Sequence, residues 1–184
     1  MPEIGAKQIE DGAKVGAADS VMIRLHPMDD RDYAWLLGEA PRVDGLRQCD
    51  GGVAPAEVTA MLRGITTGLA ENETRPLAWL ITDGDEVVGM TSFTKREADG
   101  RYEIGYGIAP AHEGRGVMTA AIAALLPILR ADRHHGLTAA TSVDNPGSQR
   151  VLEKNGFVST GTRDDPEDGP LNLWAIDLTT DGRP

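Results

Sequence analysis

The sequence predicts a mixed α/β domain, a largely antiparallel sheet flanked by helices, and three observations predict it. Residues 77–81, 87–94 and 101–108 are strand-length apolar runs joined by the turn formers Asp83-Gly84-Asp85 and Asp99-Gly100, which makes an antiparallel meander. The third run places Tyr102, Ile104, Tyr106 and Ile108 on one face, and a glycine-rich turn leads from it into the apolar stretch 120–126, a strand followed by a buried helix. Residues 137–143, a helix opening at Asn145, and the runs 157–162 and 171–178 then complete the sheet.

Taken in order, residues 1–20 are rich in Ala, Gly and charged residues without a period, an arm ahead of a single domain at 21–184. Residues 21–25 read as the first strand. Asp29 and Asp30 then precede Tyr33, Ala34, Leu36 and Leu37 at helical spacing, as a helix start should look. Residues 38–55, with Pro41, Gly45, Gly51 and Gly52, read as a loop. A second helix follows at 55–69, with Pro55 in its first turn and Val58, Met61, Leu62 and Ile65 on one face. Gly105 and Gly107 predict a bulge in the third strand of the meander. The helix from Gly114 to about His134 is alanine-rich, which lets it lie close to a sheet, and Pro127 predicts a kink because it cannot donate to the carbonyl of Ala123. His134 and His135 fall at its end, where cationic groups are favoured. Asn145 suits an N-cap with Pro146 first in the helix, and Gly156 closes it. An acidic loop, 164–168, and Gly169-Pro170 separate the last two strands.

The 184 residues, 40% hydrophobic and 26% charged, are those of an ordinary globular domain. The longest apolar run, 120–129, is too short to span a bilayer, and the N-terminus lacks an apolar signal region, so the reading is cytoplasmic, with no membrane partner. The single cysteine, Cys49, excludes an internal disulfide and any multi-cysteine metal site, and reads as a buried or incidental thiol. No residues have metal-ligand spacing, and His112 is expected to be exposed. A net charge of −11 argues against nucleic acid and is compatible with a cationic partner.

Between strand and helix stands Glu113-Gly114-Arg115-Gly116-Val117-Met118-Thr119. A glycine-rich turn opening a helix aims several unpartnered N–H groups, with the helix dipole, at one point that suits a pyrophosphate. Gly114 and Gly116 permit close approach, and Arg115 adds a charge. Further on come Ser142-Val143-Asp144-Asn145-Pro146-Gly147-Ser148 and Leu152-Glu153-Lys154-Asn155-Gly156-Phe157. With these in this order, the chain resembles the GCN5-related N-acetyltransferases (GNAT), and within them the RimJ/RimL-like branch. The likeness is firm over 77–178, fainter over 21–75 and absent before Ser20. Glu113 and Met118 depart from the general phosphate-loop pattern in the way that branch does.

The resemblance implies a sheet of six to seven strands, mostly antiparallel, with a V-shaped split between the fourth and fifth, and about four helices. It implies acetyl-CoA as co-substrate, no metal, and transfer of acetyl to a primary amine of a small molecule or a protein N-terminus. Glu113 to Met118 (Glu113, Gly114, Arg115, Gly116, Val117, Met118) would hold the pyrophosphate, and Asn145 the pantetheine arm, which pairs with the split strand like an added one. An amine must lose a proton to attack, and Glu167 stands where RimL-like enzymes place a base; Asp164, Asp165 and Asp168 are alternatives. A strand N–H near Ile108 or Ala109 would meet the oxyanion. Leu152 stands where many relatives use a Tyr, so Ser148, three residues after Asn145, is expected to serve the departing thiolate. Trp35, Asp44 and Asp50 are acceptor-side candidates. A homodimer is compatible with an arm and exposed strands. The alternatives are a non-catalytic acyl-CoA sensor and a transferase of another acyl group, such as succinyl; a nucleotide kinase lacks its Gly-Lys-(Ser/Thr) ending.

Overall fold

The computed structural model describes residues 22–42 and 44–179, so the expected arm lies outside the described residues. Within them one sheet holds eight strands: β1 (Ile23–Pro27), β2 (Arg47–Gln48), β3 (Ala78–Asp83), β4 (Glu86–Arg96), β5 (Tyr102–Ile108), β6 (Gly136–Ser142), β7 (Val158–Asp165) and β8 (Gly169–Asp177). The order is β1-β3-β4-β5-β6-β8-β7, with β2 added parallel to β4 at Glu86 and Val87. Only β5/β6 and β2/β4 are parallel; the meander is antiparallel as expected. Four helices cover it: α1 (Asp30–Leu36), α2 (Ala56–Ala70), α3 (Val117–Ala131) and α4 (Pro146–Lys154). Among the described residues no helix is long and apolar enough to cross a membrane.

Strand alternation divides the core in two. Trp79, Ile81, Val88, Phe93, Tyr102 and Ile104 face α3 and α4, where Ile122, Leu125, Leu129 and Leu152 are fully buried. Leu80, Val87 and Met90 face the other way onto Tyr33, Cys49 and Val53. Each fully buried aliphatic side chain contributes about 1.5–3 kcal/mol. Asp29 caps α1, accepting the Arg31 N–H at 2.8 Å while Asp32 accepts the Asp29 N–H at 2.7 Å, a reciprocal pair. α3 runs through Pro127, whose missing bond falls on the solvent side because both Pro127 and Ala123 are exposed.

Four local expectations need correction. On α2 the buried positions are Thr59 and Thr66, while Val58 and Met61 are exposed at 38% and 56%. The threonines can go inside because their hydroxyls donate to the carbonyls of Pro55 (3.1 Å) and Leu62 (2.9 Å). The bulge lies in β4, where the register shifts between Phe93 and Lys95, and not at Gly105 or Gly107. His112 is buried. His134 does not cap a helix; it is 3% exposed, edge-on to Phe93 and Tyr102 at 5.4 and 5.5 Å, with its Nε2 unpartnered.

That position makes a pH prediction. Burial pushes the His134 imidazole below its ordinary value, and the Arg75 charge adds to this, opposed by Glu73 and Asp132. The unfolded chain therefore takes up a proton near pH 6.5 that the folded chain refuses, so this stability is present above that pH and is lost as pH falls through it. Glu73, held at about 2 by Arg75, titrates well below this window. His134→Phe is expected to flatten the loss of Tm between roughly pH 7 and 5.5. Equal slopes in both proteins would remove the imidazole as the source.

Candidate active site

β5 pairs with β6 only at Tyr102↔Leu137 and Glu103↔Thr138 and then diverges, although β4 follows β5 along its whole length. The sheet therefore splits between β5 and β6, which are the fourth and fifth strands once the two-residue β2 is set aside. The Ala109 N–H is spent on the Val88 carbonyl at 2.8 Å, so it is not available to an oxyanion. By antiparallel alternation, Gly107 and Gly105 also turn their backbone groups to β4, leaving those of Tyr106 and Ile108 aimed into the split. On the face away from α3, a Cβ at Gly107 would meet nothing within 4 Å, which leaves this side of β5 open.

A cavity of about 540 Å³ occupies the split, lined by Tyr106, Ile108, residues 112–114 and 116–119, and one side of α4 from Asn145 to Lys154; Arg115 is not in the lining. Gly114 and Gly116 have φ of 70° and 78°, conformations that a side chain opposes. Gly116 caps α3, whose first intrahelical bond there is Ala120 N–H to the Gly116 carbonyl at 3.0 Å. The N–H groups of Val117, Met118 and Thr119 precede that bond and point out of the helix end as orphan donors. Val117 and Met118 are buried in the core, so they can serve a ligand only through backbone. The Glu113 N–H is engaged by the Pro110 carbonyl at 3.3 Å, and Glu113 and Arg115 are exposed. Beneath the turn, buried His112 stands 3.7 Å from Glu86.

Across the cavity Asn145 and Ser148 come together as expected, with one difference. The Asn145 side chain itself caps α4, its Oδ1 accepting the Ser148 N–H at 3.0 Å, which leaves Nδ2 for a ligand. Tyr106, read from sequence only as a core position, donates its hydroxyl to the Ser148 carbonyl at 3.2 Å. Burial pushes that phenol up to about 12, so it stays protonated and donating. Its mark in the sequence was a polar tip on an otherwise apolar strand face.

Glu167 lies exposed at the tip of the β7–β8 hairpin, outside the cavity lining. This tip adjoins the end of β6, since Ser142 pairs with Leu171 and the Val143 N–H meets the Pro170 carbonyl at 3.2 Å. Asp165 makes the turn: its Oδ1 accepts the N–H groups of Glu167 and Asp168 at 3.0 and 3.2 Å, and these bonds hold its carboxyl below the ordinary range. Trp35, Asp44 and Asp50 do not line the cavity. Trp35 lies under the Arg42 guanidinium at 4.8 Å, and Asp44 is bound to that same group at 2.5 and 2.6 Å. Asp50 is exposed.

A family model for the acetyltransferase (GNAT) domain matches residues 22–158. The ribosomal-protein-serine acetyltransferase of Escherichia coli (strain K12) is 32% identical over 85 residues, 45% of this chain and 48% of that protein, so the match spans about half of that curated relative. Among solved structures, a chimera of the Vibrio cholerae spermidine N-acetyltransferase SpeG with hSSAT has a TM-score of 0.61 at 17% identity, covering 85% of this chain and 96% of that one. The ribosomal-protein alpha-N-acetyltransferase RimL in complex with coenzyme A has a TM-score of 0.60 at 23% identity, covering 86% and 95%. The split sheet, the glycine turn and the family match together place the chain in the GNAT acetyltransferase family, with a RimJ/RimL-like relative.

Proposed function

We propose that this protein is an acetyl-CoA-dependent N-acetyltransferase acting on a primary amine by direct attack in a ternary complex. The observation that carries the reading is the divergence of β5 from β6 beside the glycine turn. An extended pantetheine arm can pair with the backbone groups of Tyr106 while its diphosphate takes the orphan N–H groups of α3. The neutral amine attacks the thioester carbonyl, and the Ile108 N–H, rather than the engaged Ala109 N–H, receives the developing oxyanion. The attack forms the C–N bond, and collapse of the intermediate re-forms the C=O bond and breaks the C–S bond, with Ser148 passing a proton to the departing thiolate and regaining one from solvent. Glu167, directly or through a water, takes the proton that the amine loses.

The acceptor is an amine that tolerates acidic surroundings, because Asp164, Glu167 and Asp168 are exposed around the hairpin tip. The relatives named above are acetyltransferases of spermidine and of ribosomal proteins, both of which offer amines as acetyl acceptors. Labelled acetyl-CoA offered to small polyamines and to peptides of varied N-terminus is expected to label one panel. Label on neither, with acetyl-CoA still bound, would overturn the transferase reading in favour of an acyl-CoA sensor.

A further inference from the structure

One ionisable side chain at the site has no part in the mechanism above. His112 ends the short helical turn Pro110–His112, where its N–H bonds the Ala109 carbonyl at 2.9 Å, and it leads directly into the glycine turn. The residue is only 9% exposed, yet it belongs to the lining of the cavity. Among the described residues several buried side-chain polar atoms make no hydrogen bond, and His112 Nδ1 is the one whose residue lines this cavity.

The other ring nitrogen has a charged neighbour. Nε2 stands 3.7 Å from Oε2 of Glu86, at the start of β4, while Oε1 of the same carboxylate accepts from Arg47 of β2 at 2.8 Å. Arg47 also lies 3.5 Å from Asp85, and Glu113, next to His112 in the chain, is exposed. A neutral imidazole carries one N–H and one lone pair, and an imidazolium carries two N–H groups. In either state Nδ1 is left as an acceptor without a donor or a donor without an acceptor. An unpaired buried nitrogen opposes folding unless a partner comes from elsewhere, and the cavity is where one can enter. The orphan N–H groups of α3 already mark that cavity for an anion.

An anion decides between the two states of the ring, because it accepts from Nδ1–H and favours the positive form. We propose that His112 serves the anionic part of the co-substrate as an imidazolium, with Nδ1–H toward the ligand and Nε2–H toward Glu86, and that binding therefore takes up a proton from solvent. The assignment rests on the acetyl-CoA reading above. Histidine changes charge between roughly pH 5 and 8, so this one ring makes affinity a function of pH. The sign follows from the state that binds: affinity is greatest at the acid end and falls as pH rises through the titration of the ring. Glu86 acts only through His112 and is a positioning residue.

The test is calorimetric titration of the full chain with acetyl-CoA at about pH 6.5, 7.5 and 8.5, in pairs of buffers whose ionisation enthalpies differ, which counts the protons taken up. His112→Gln is expected to bind about tenfold more weakly than wild type at the lowest pH and within about twofold of it at the highest, and to take up fewer protons. Titration of the ligand's own phosphate is common to both proteins and drops out of the comparison. A histidine with a merely structural role would weaken binding by the same factor at every pH. Glu86→Gln keeps the ring and removes the charge behind it, so the fall in affinity should move to lower pH; this variant carries the test if His112→Gln does not fold. Parallel pH profiles for wild type and His112→Gln would overturn the assignment, as would equal proton uptake in the two or an unchanged profile in Glu86→Gln. Failure of wild type to bind acetyl-CoA at any of these pH values would instead overturn the acetyl-CoA reading itself, and this assignment with it.

Discussion

Gly116→Glu is expected to abolish acetyl-CoA binding in a protein that still folds. The backbone at Gly116 has φ of 78°, so any side chain there costs about 1–2 kcal/mol, a fall in Tm of about 2–8 °C. No atom stands within 4 Å of the added Cβ, so strain is the whole structural cost. The effect on binding is of another kind. Gly116 is the N-cap of α3, and a carboxylate carried from it sits among the orphan N–H groups that the diphosphate needs. Like charges brought together cost several kcal/mol, about a hundredfold or more in Kd. Gly116→Ala separates the two contributions, since it shares the strain and lacks the charge; it should lose less than about tenfold. Calorimetric affinities alongside melting curves make the comparison, and an unchanged Kd in Gly116→Glu would remove the turn from the site.

Glu167→Gln is expected to lower kcat at neutral pH by about 10²–10⁴-fold while leaving the affinity for acetyl-CoA unchanged. Glutamine keeps the size of the side chain and loses only its capacity to take a proton. Aliphatic amines shed their own proton near pH 10.4, so the deficit should narrow as the pH is raised. The exposed position of Glu167 gives the variant little reason to misfold. Asp165 is a poor substitute because both its roles in the turn depend on the ionised carboxylate already bonded to two N–H groups. Asp164→Asn and Asp168→Asn are the informative neighbours. Full activity in Glu167→Gln with a loss in Asp168→Asn would move the base by one residue.

The parts of this fold that were legible in the sequence are those whose signals are local. Asp-Gly turns between alternating runs specify a meander, and Asn145-Pro146 specifies a helix start whatever lies around it. The misread parts depend on distant neighbours. β2 is two residues long and exists only because Glu86 and Val87 offer it a parallel edge. On α2, periodicity favoured Val58 and Met61 for the core, but hydroxyls that bond back to the helix made Thr59 and Thr66 acceptable there. His134 follows a helix end and looks like a dipole-favoured cation, until the aromatic rings of Phe93 and Tyr102 close over it. At the site, the glycine turn could be read from the residues themselves, while the pairing of Asn145 with Ser148 came only from the resemblance. The engagement of Ala109 and the tie from Tyr106 required knowing which elements stand beside β5.

The partial pairing of β5 with β6 also makes the sheet two slabs rather than one. β1 to β5 form the first and β6, β8 and β7 the second, joined edge to edge at only Tyr102 and Glu103. Those two positions are the hinge residues in the geometric sense, the closed end of the wedge, and the Tyr106 hydroxyl on the Ser148 carbonyl ties β5 to α4 across its open end. Beyond the hinge residues the two slabs are thus held by side-chain ties, this one and the Asn155 amide on the Thr119 carbonyl at 3.2 Å between α4 and α3, and by apolar packing of Leu152, rather than by a backbone ladder.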